Sequence, residues 1–467
     1  MRVRLCFVLL LILLLLAGCK GGSLGSAATQ TSQLKVDSLG GWLPFDQFLE
    51  ESWHSLMRRD PELLTELGLS DAFGMADDQL TDISDTYQKE TYALYDQILE
   101  TLYSYDRAAL TPEEQLNYDI YAYYLEDMLR GQAYLNDVYP VNHFSVGVQN
   151  QLIHFFTNIH PVTDHQSAED YITRLSQVDD KFDQLIANMQ RSEEAGVITP
   201  RLILQWSLGD IRQLADSPAK TTPFYTSFSE KVTALDSLNV DQKEALIDSA
   251  ESEIEASVIP AFRALAGYLE ELQQRAPNQG GVWQHPNGEA YYEYLVAHYT
   301  TTDLTPDEIH QFGYDDLARI QAEMRLVFDR LGYPAEEGLP ELFDRVEKDG
   351  GTLYGDEIVA GYQAIIADAK VSAAQVLDLQ PRADVIVIPG PTGGYYVGPA
   401  VEGSRPGAFY AAVSGSEPRF GMASLAYHEA IPGHHTQVAL AMEMDLPSFR
   451  RGSHFTAYVE GWALYAE

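Results

Sequence analysis

The chain has 467 residues, and its 69 Asp plus Glu against 30 Lys plus Arg leave a net charge of −39. A field of that sign repels phosphate backbones, which excludes nucleic acid as a partner. Cys6 and Cys19 are the only cysteines, so the chain beyond them has no disulfide, no cysteine nucleophile and no cysteine–zinc site.

Arg2 and Arg4 precede an apolar run from Leu5 to Leu16, and Leu16-Ala17-Gly18-Cys19 has the form of a lipobox. The run is too short to stay in a bilayer as a spanning helix and ends at small residues, the pattern of a cleaved signal. Residues 1–18 are therefore expected to be a lipoprotein signal peptide. Cys19 is then the lipidated (palmitate-bearing) first residue and anchors the chain to a membrane. Lys20 rather than Asp follows it, which by resemblance to Gram-negative lipoproteins favours the outer membrane. Residues 19–41 are rich in Gly, Ser, Thr and Ala and read as a flexible tether. Gly21-Gly-Ser23-Leu-Gly25 matches the serine-hydrolase elbow, but that elbow needs a strand before the serine and a helix after it. The tether offers neither.

Residues 42–276 carry a helical pattern with polar breaks and are expected to form a helical N-terminal domain. Phe48-Leu49, Trp53, Leu56-Met57, Leu63-Leu64 and Leu67 begin it. Thr111-Pro-Glu-Glu114 places a capping threonine before a first-turn proline. The tyrosines between Asn117 and Leu129 recur at helical spacing and read as core. Ser167-Ala-Glu-Asp170 and Thr305-Pro-Asp-Glu308 both read as helix starts of the capping-box kind. Residues 277–467 are expected to be a second, catalytic domain. Most of it is helical, including Ala322 to Leu331. The exception lies between Val385 and Val413, where Val385-Ile-Val-Ile388, Tyr395-Tyr-Val397 and Ala408 to Val413 read as short strands joined by turns. The fold class is mainly α, with a small β-hairpin or short sheet just before the most informative motif.

That motif is His428-Glu429-Ala-Ile-Pro432-Gly433-His434-His435. It reads as the zinc-hydrolase pattern H-E-x-x-H with an insertion. In the uninterrupted pattern the histidines lie four apart on one helical face and the Glu activates water. Here His434 would lie about 120° around an unbroken helix from His428 and roughly 9 Å along it. Two nitrogens on one tetrahedral zinc lie only ~3.3 Å apart, so a regular helix fails. Pro432 cannot bond to the carbonyl of His428 and clashes with it, while Gly433 opens backbone angles closed to other residues. A bulge over Ala430 to Gly433 would return His434 to the ligand face. His435 is the alternative second ligand and needs the same bulge.

Glu460 and Glu467 lie seven apart on a predicted helix and so share a face. Glu460 would complete a His428, His434, Glu460 set around one zinc ion, with a fourth position left for water. Glu467 would orient a ligand histidine, and Glu429 would be the general base. His454 lies between the two motifs, where it would face a substrate. Tyr395, Tyr396, Tyr458 and Tyr465 are candidate oxyanion donors among which the sequence does not choose. Arg405 reads either as a substrate-carboxylate partner or as a turn arginine in a salt bridge. His143, His154, His160, His165, His285, His298 and His310 have no ligand spacing and read as surface or core residues.

The run from His428 to Gln437, followed by Glu460-Gly-Trp-Ala-Leu-Tyr-Ala-Glu467, resembles a bacterial lipoprotein family, domain of unknown function 885, grouped with the gluzincin-like clan of zinc metallopeptidases. Gly288 to Gly313 and Gly403-Ser-Arg-Pro-Gly-Ala-Phe-Tyr410 resemble it too, and the likeness extends from about residue 42. Glu460-Gly-Trp-Ala is also similar to the helix carrying the glutamate ligand in gluzincin aminopeptidases, and the Val459-Glu460…Glu467 spacing to oligopeptidases of the thimet type. The two-residue insertion departs from the strict motif of those enzymes. The resemblance implies a zinc peptidase acting on a peptide substrate, and a chain that stops short of the family's C-terminal region. The alternative is a catalytically degenerate helical envelope lipoprotein that binds solutes or acts as a scaffold.

Overall fold

The computed structural model describes residues 43–390, 392–400, 405–452 and 455–467. The expected signal peptide, the tether, Cys19 and His454 lie outside these residues. The fold is mainly α, with two small sheets. No helix among the described residues is long and apolar enough to cross a membrane.

Local chemistry sets the helix starts. Thr111 accepts from the Glu114 N–H while the Glu114 carboxylate accepts from the Thr111 N–H, and the helix Pro112–Gly131 follows. Thr305 and Glu308 repeat the arrangement before the helix Pro306–Leu331. Two orphan N–H groups are satisfied reciprocally at each start. The expectation at Ser167 is corrected. Asp164 is the cap of the helix His165–Leu175, accepting from the Ser167 N–H, and Ser167 sits at the third helical position and reaches back to the cap. An aspartate cap three residues earlier satisfies the same donors, so the serine is left with the return bond.

Three apolar cores organise the body. The largest runs from Leu80 to Ala276 and is built on interlocked aromatic rings, among them Phe156, Tyr171, Phe224, Phe228 and Phe262. The second gathers Phe48, Leu49, Trp53, Tyr121 and Leu125 from the first helices, together with Phe449 from far down the chain. Phe449 is fully buried, with its ring 4.6 Å from that of Tyr121. The third core carries the helix Arg419–Glu429. Ile358, Tyr362 and Ile366 of the helix Asp356–Ala373 pack there with Phe409, Met422, Ala426 and Ile431.

Strands β1 (Thr352–Tyr354), β2 (Val385–Gly390), β3 (Tyr395–Val397), β4 (Gly407–Ala412) and β5 (Ser416–Pro418) form the sheets. β1 pairs with β5 in antiparallel register. In the other sheet β4 is central, parallel to β2 and antiparallel to β3, with Tyr396 opposite Phe409. The short sheet expected before the motif is present, and its edge strand β3 carries Tyr396 beside His435.

Candidate metal centre

The helix Arg419–Glu429 stops where the sequence implied. Ala430 leaves the helical region at φ −117°, ψ −99°, the Ile431–Pro432 bond is cis, and Gly433 lies at φ −76°, ψ −129°. A side chain at Gly433 would run into the carbonyl oxygens of Tyr427 and His428, so close approach rather than handedness requires glycine there. The next helix, His434–Glu443, begins directly afterwards. Trp462 ties the break to the helix Thr456–Ala466 by donating its indole N–H to the Pro432 carbonyl at 2.9 Å.

This geometry brings His428, His434 and Glu460 together, with one ligand atom from each within 4.8 Å of the others. A Glu460 oxygen lies 3.3 Å from His428 Nε2 and 3.8 Å from His434 Nε2. Two donors on one tetrahedral zinc lie roughly 3.3–3.5 Å apart, so these residues fit such an ion with small adjustments. His434 Nδ1 is buried with no hydrogen-bond partner among the described residues, leaving its ring to be held through the other nitrogen alone.

The Glu467 carboxylate lies beside His428. One oxygen sits 2.8 Å from His428 Nδ1, and the other accepts from Ser424 Oγ at 2.7 Å. The carboxylate fixes the Nδ1–H tautomer and aims Nε2 at Glu460. His435 stands outside this cluster. Its Nε2 faces the Ala383 carbonyl at 3.0 Å and so carries the proton, which leaves Nδ1 to accept from the Tyr396 hydroxyl at 3.0 Å. Both nitrogens are occupied, and burial holds its pKa below the ordinary histidine range. Gly407 on β4 leaves the space where these two side chains meet.

Glu429 is buried beside the cluster. Burial first, then the Glu460 and Glu467 carboxylates, push its pKa up to about 7, against the pull of His428. A carboxyl poised there can both take and give a proton near neutral pH. Burial also lowers His434, keeping its imidazole in the neutral form a metal needs.

The remaining candidates separate clearly. Tyr396, Arg405, His434 and Glu460 line one pocket of about 260 Å³. Tyr395, next along β3, points to the other face and stacks on Tyr410 at 4.7 Å. Tyr458 and Tyr465 are corrected as site residues: both are largely exposed and neither lines that pocket. Helix periodicity turns them away from the face that carries Glu460. Among the other histidines, His285 bonds Tyr139 Oη, His298 lies 2.6 Å from Asp127, and His160 faces the Pro161 and Asp77 carbonyls. Sequence reasoning missed Glu66 and Leu67, which form one wall of the pocket from the helix Pro61–Leu67. No local signal marks residues so distant in the chain.

The molecule is thus a mainly α protein with a His–His–Glu cluster assembled across a helix break. The family described as "Bacterial protein of unknown function (DUF885)" matches residues 61–467, and the chain belongs to that family. A solved protein from Colwellia psychrerythraea described as a lipoprotein is similar to it at TM-score 0.83 and 25% identity, covering 90% of this chain and 76% of that one. A second, from Shewanella oneidensis and described as a lipoprotein of unknown function, shares the fold at TM-score 0.63 and 16% identity, over 91% and 77%. None of the curated proteins compared matches the chain.

Proposed function

We propose that this protein is a zinc-dependent peptidase of the cell envelope. The observation that carries the reading is the convergence of His428, His434 and Glu460 across a break that also leaves Glu429 buried beside them. His428, His434 and Glu460 would hold one zinc ion, which when bound supplies Lewis acidity to a carbonyl and acidity to a water. Glu429 accepts the proton of the attacking water and delivers it to the departing amine, so that water and amide become acid and amine. Glu467 holds His428 in the tautomer that leaves Nε2 free. Tyr396 has its hydroxyl proton directed at His435, and so acts as an oxyanion donor only by turning away from that partner. The free edge of β3 offers backbone groups to an extended peptide.

The anchored location rests on the lipobox at Cys19 and on the structural relatives described as lipoproteins. The second domain, residues 277–467, supplies every proposed ligand. Metal analysis of the purified full chain tests the site first. One equivalent of zinc is expected, retained in Glu429→Gln and lost in His434→Ala. Hydrolysis of a peptide library should fall roughly 10²–10⁴-fold in Glu429→Gln, the usual range for loss of a general base. A chain that binds no zinc, or a Glu429→Gln variant that cleaves as fast as the parent, overturns the proposal.

A further inference from the structure

Among the described residues, Arg405 is the only Lys or Arg lining the 260 Å³ pocket beside the cluster. In a chain of net charge −39, it pairs with no carboxylate among the described residues. Its bonds are instead to backbone: Nη1 donates to the Gly398 carbonyl at 2.8 Å and Nη2 to the Glu66 carbonyl at 3.1 Å. A guanidinium has five N–H donors in a rigid fork. Two are used to fix its plane, which leaves three without a partner among the described residues. The Glu66 side chain is close enough for Arg405 to oppose the rise that burial causes in its pKa, yet the two form no ion pair.

The rest of the pocket limits what that partner is. Glu460 and Arg405 both line it, together with the apolar side chains of Leu67, Val397, Val438, Met442 and Val459. The volume equals roughly eight or nine waters at ~30 Å³ each and lies below the ~300 Å³ lower limit of ordinary ligand pockets. Arg405, His434 and Glu460 all line this one small pocket, so a group held at Arg405 lies within a residue or two of the cluster. We infer that Arg405 is the anchor for the free C-terminal carboxylate of a peptide ending in an apolar residue, so that cleavage releases one or two residues from the C-terminus. This rests on the peptidase reading for the cleavage, but not for the binding.

Binding of N-acetyl-Gly-Phe and of its C-terminal amide to the Glu429→Gln protein, measured by calorimetry with and without zinc, tests the anchor. The free acid is expected to bind at least about tenfold tighter than the amide, as a charge-assisted bidentate pair implies. Arg405→Met should remove the difference, and Arg405→Lys, which keeps the charge without the fork, should retain part of it. If the methionine variant does not fold, the lysine variant decides alone: an acid preference undiminished from the parent overturns the anchor. Equal affinity for acid and amide overturns it as well. The two readings fail separately. Cleavage of amidated, N-blocked peptides as fast as free acids defeats the anchor and spares the hydrolase. Arg405-dependent acid binding without turnover of any peptide defeats the hydrolase and supports the anchor.

Discussion

Replacing Glu467 by alanine isolates the contribution of a residue that touches no proposed metal position. Its carboxylate lies 2.8 Å from His428 Nδ1 and also accepts from Ser424, so its loss frees the imidazole to rotate and to exchange tautomers. Partners of this kind are worth about 10- to 100-fold in metal affinity. The Glu467 side chain is 31% exposed, so solvent screens part of its charge, and the lower end applies: about tenfold, or ~1.4 kcal/mol. Glutamine keeps an acceptor oxygen for His428 and can turn its NH2 toward the Ser424 hydroxyl, which then accepts, so it should cost only about two- to threefold. Zinc affinity is read by competition with a chromophoric chelator, with His428→Ala as the reference for a lost ligand. The reasoning is refuted if Glu467→Ala binds zinc as tightly as the parent while His428→Ala does not. The opposite ordering of the alanine and glutamine variants would refute the role assigned to the acceptor.

Phe449→Ala should destabilise the fold by about 3–5 kcal/mol, the range for emptying a fully buried aromatic site, as read from urea denaturation; a loss under about 1 kcal/mol would show that the second core closes without it. Acid should destabilise the protein through His160, whose pKa burial, aided by Arg174, depresses to about 3 from 6.5. Between those values the unfolded chain holds the extra proton. The contribution is therefore intact above pH 6.5 and is lost as pH falls toward 3, up to ~4–5 kcal/mol at ~1.4 kcal/mol per unit. Denaturation midpoints at pH 7 and 4.5 should converge in His160→Gln relative to the parent, and equal slopes in both would disprove the assignment.

The approach of His434 to His428 was legible because Pro432 and Gly433 forbid the helix that would have separated them. Glu460 and Glu467 were legible from their spacing of one shared face, though not the detail that they approach opposite nitrogens of the same imidazole. The fate of His435 was not legible. It depends on Ala383, which leads into β2, and on Tyr396 of β3, which meet at His435 because β2 and β3 flank β4, and a strand sequence does not state its neighbours. The parallel pairing of β2 with β4 was hidden for the same reason. Glu66 and Arg405 meet across most of the chain, and no periodicity encodes a contact at that separation. At Ser167 the helix was expected and only its first residue shifted, because Asp164 is a competing cap.

An ordinary pair of histidines four apart inherits its separation from the helix itself, and no single substitution adjusts it. Here the two rings sit 4.6 Å apart at 83° because of a few torsions between Ala430 and Gly433, held by one indole bond from the helix that also carries Glu460. The bite of the pair is thus an adjustable quantity. In the proposed zinc site, the spacing of the two histidine ligands would therefore be set by this break and by the Trp462 bond to Pro432, not by the pitch of one helix.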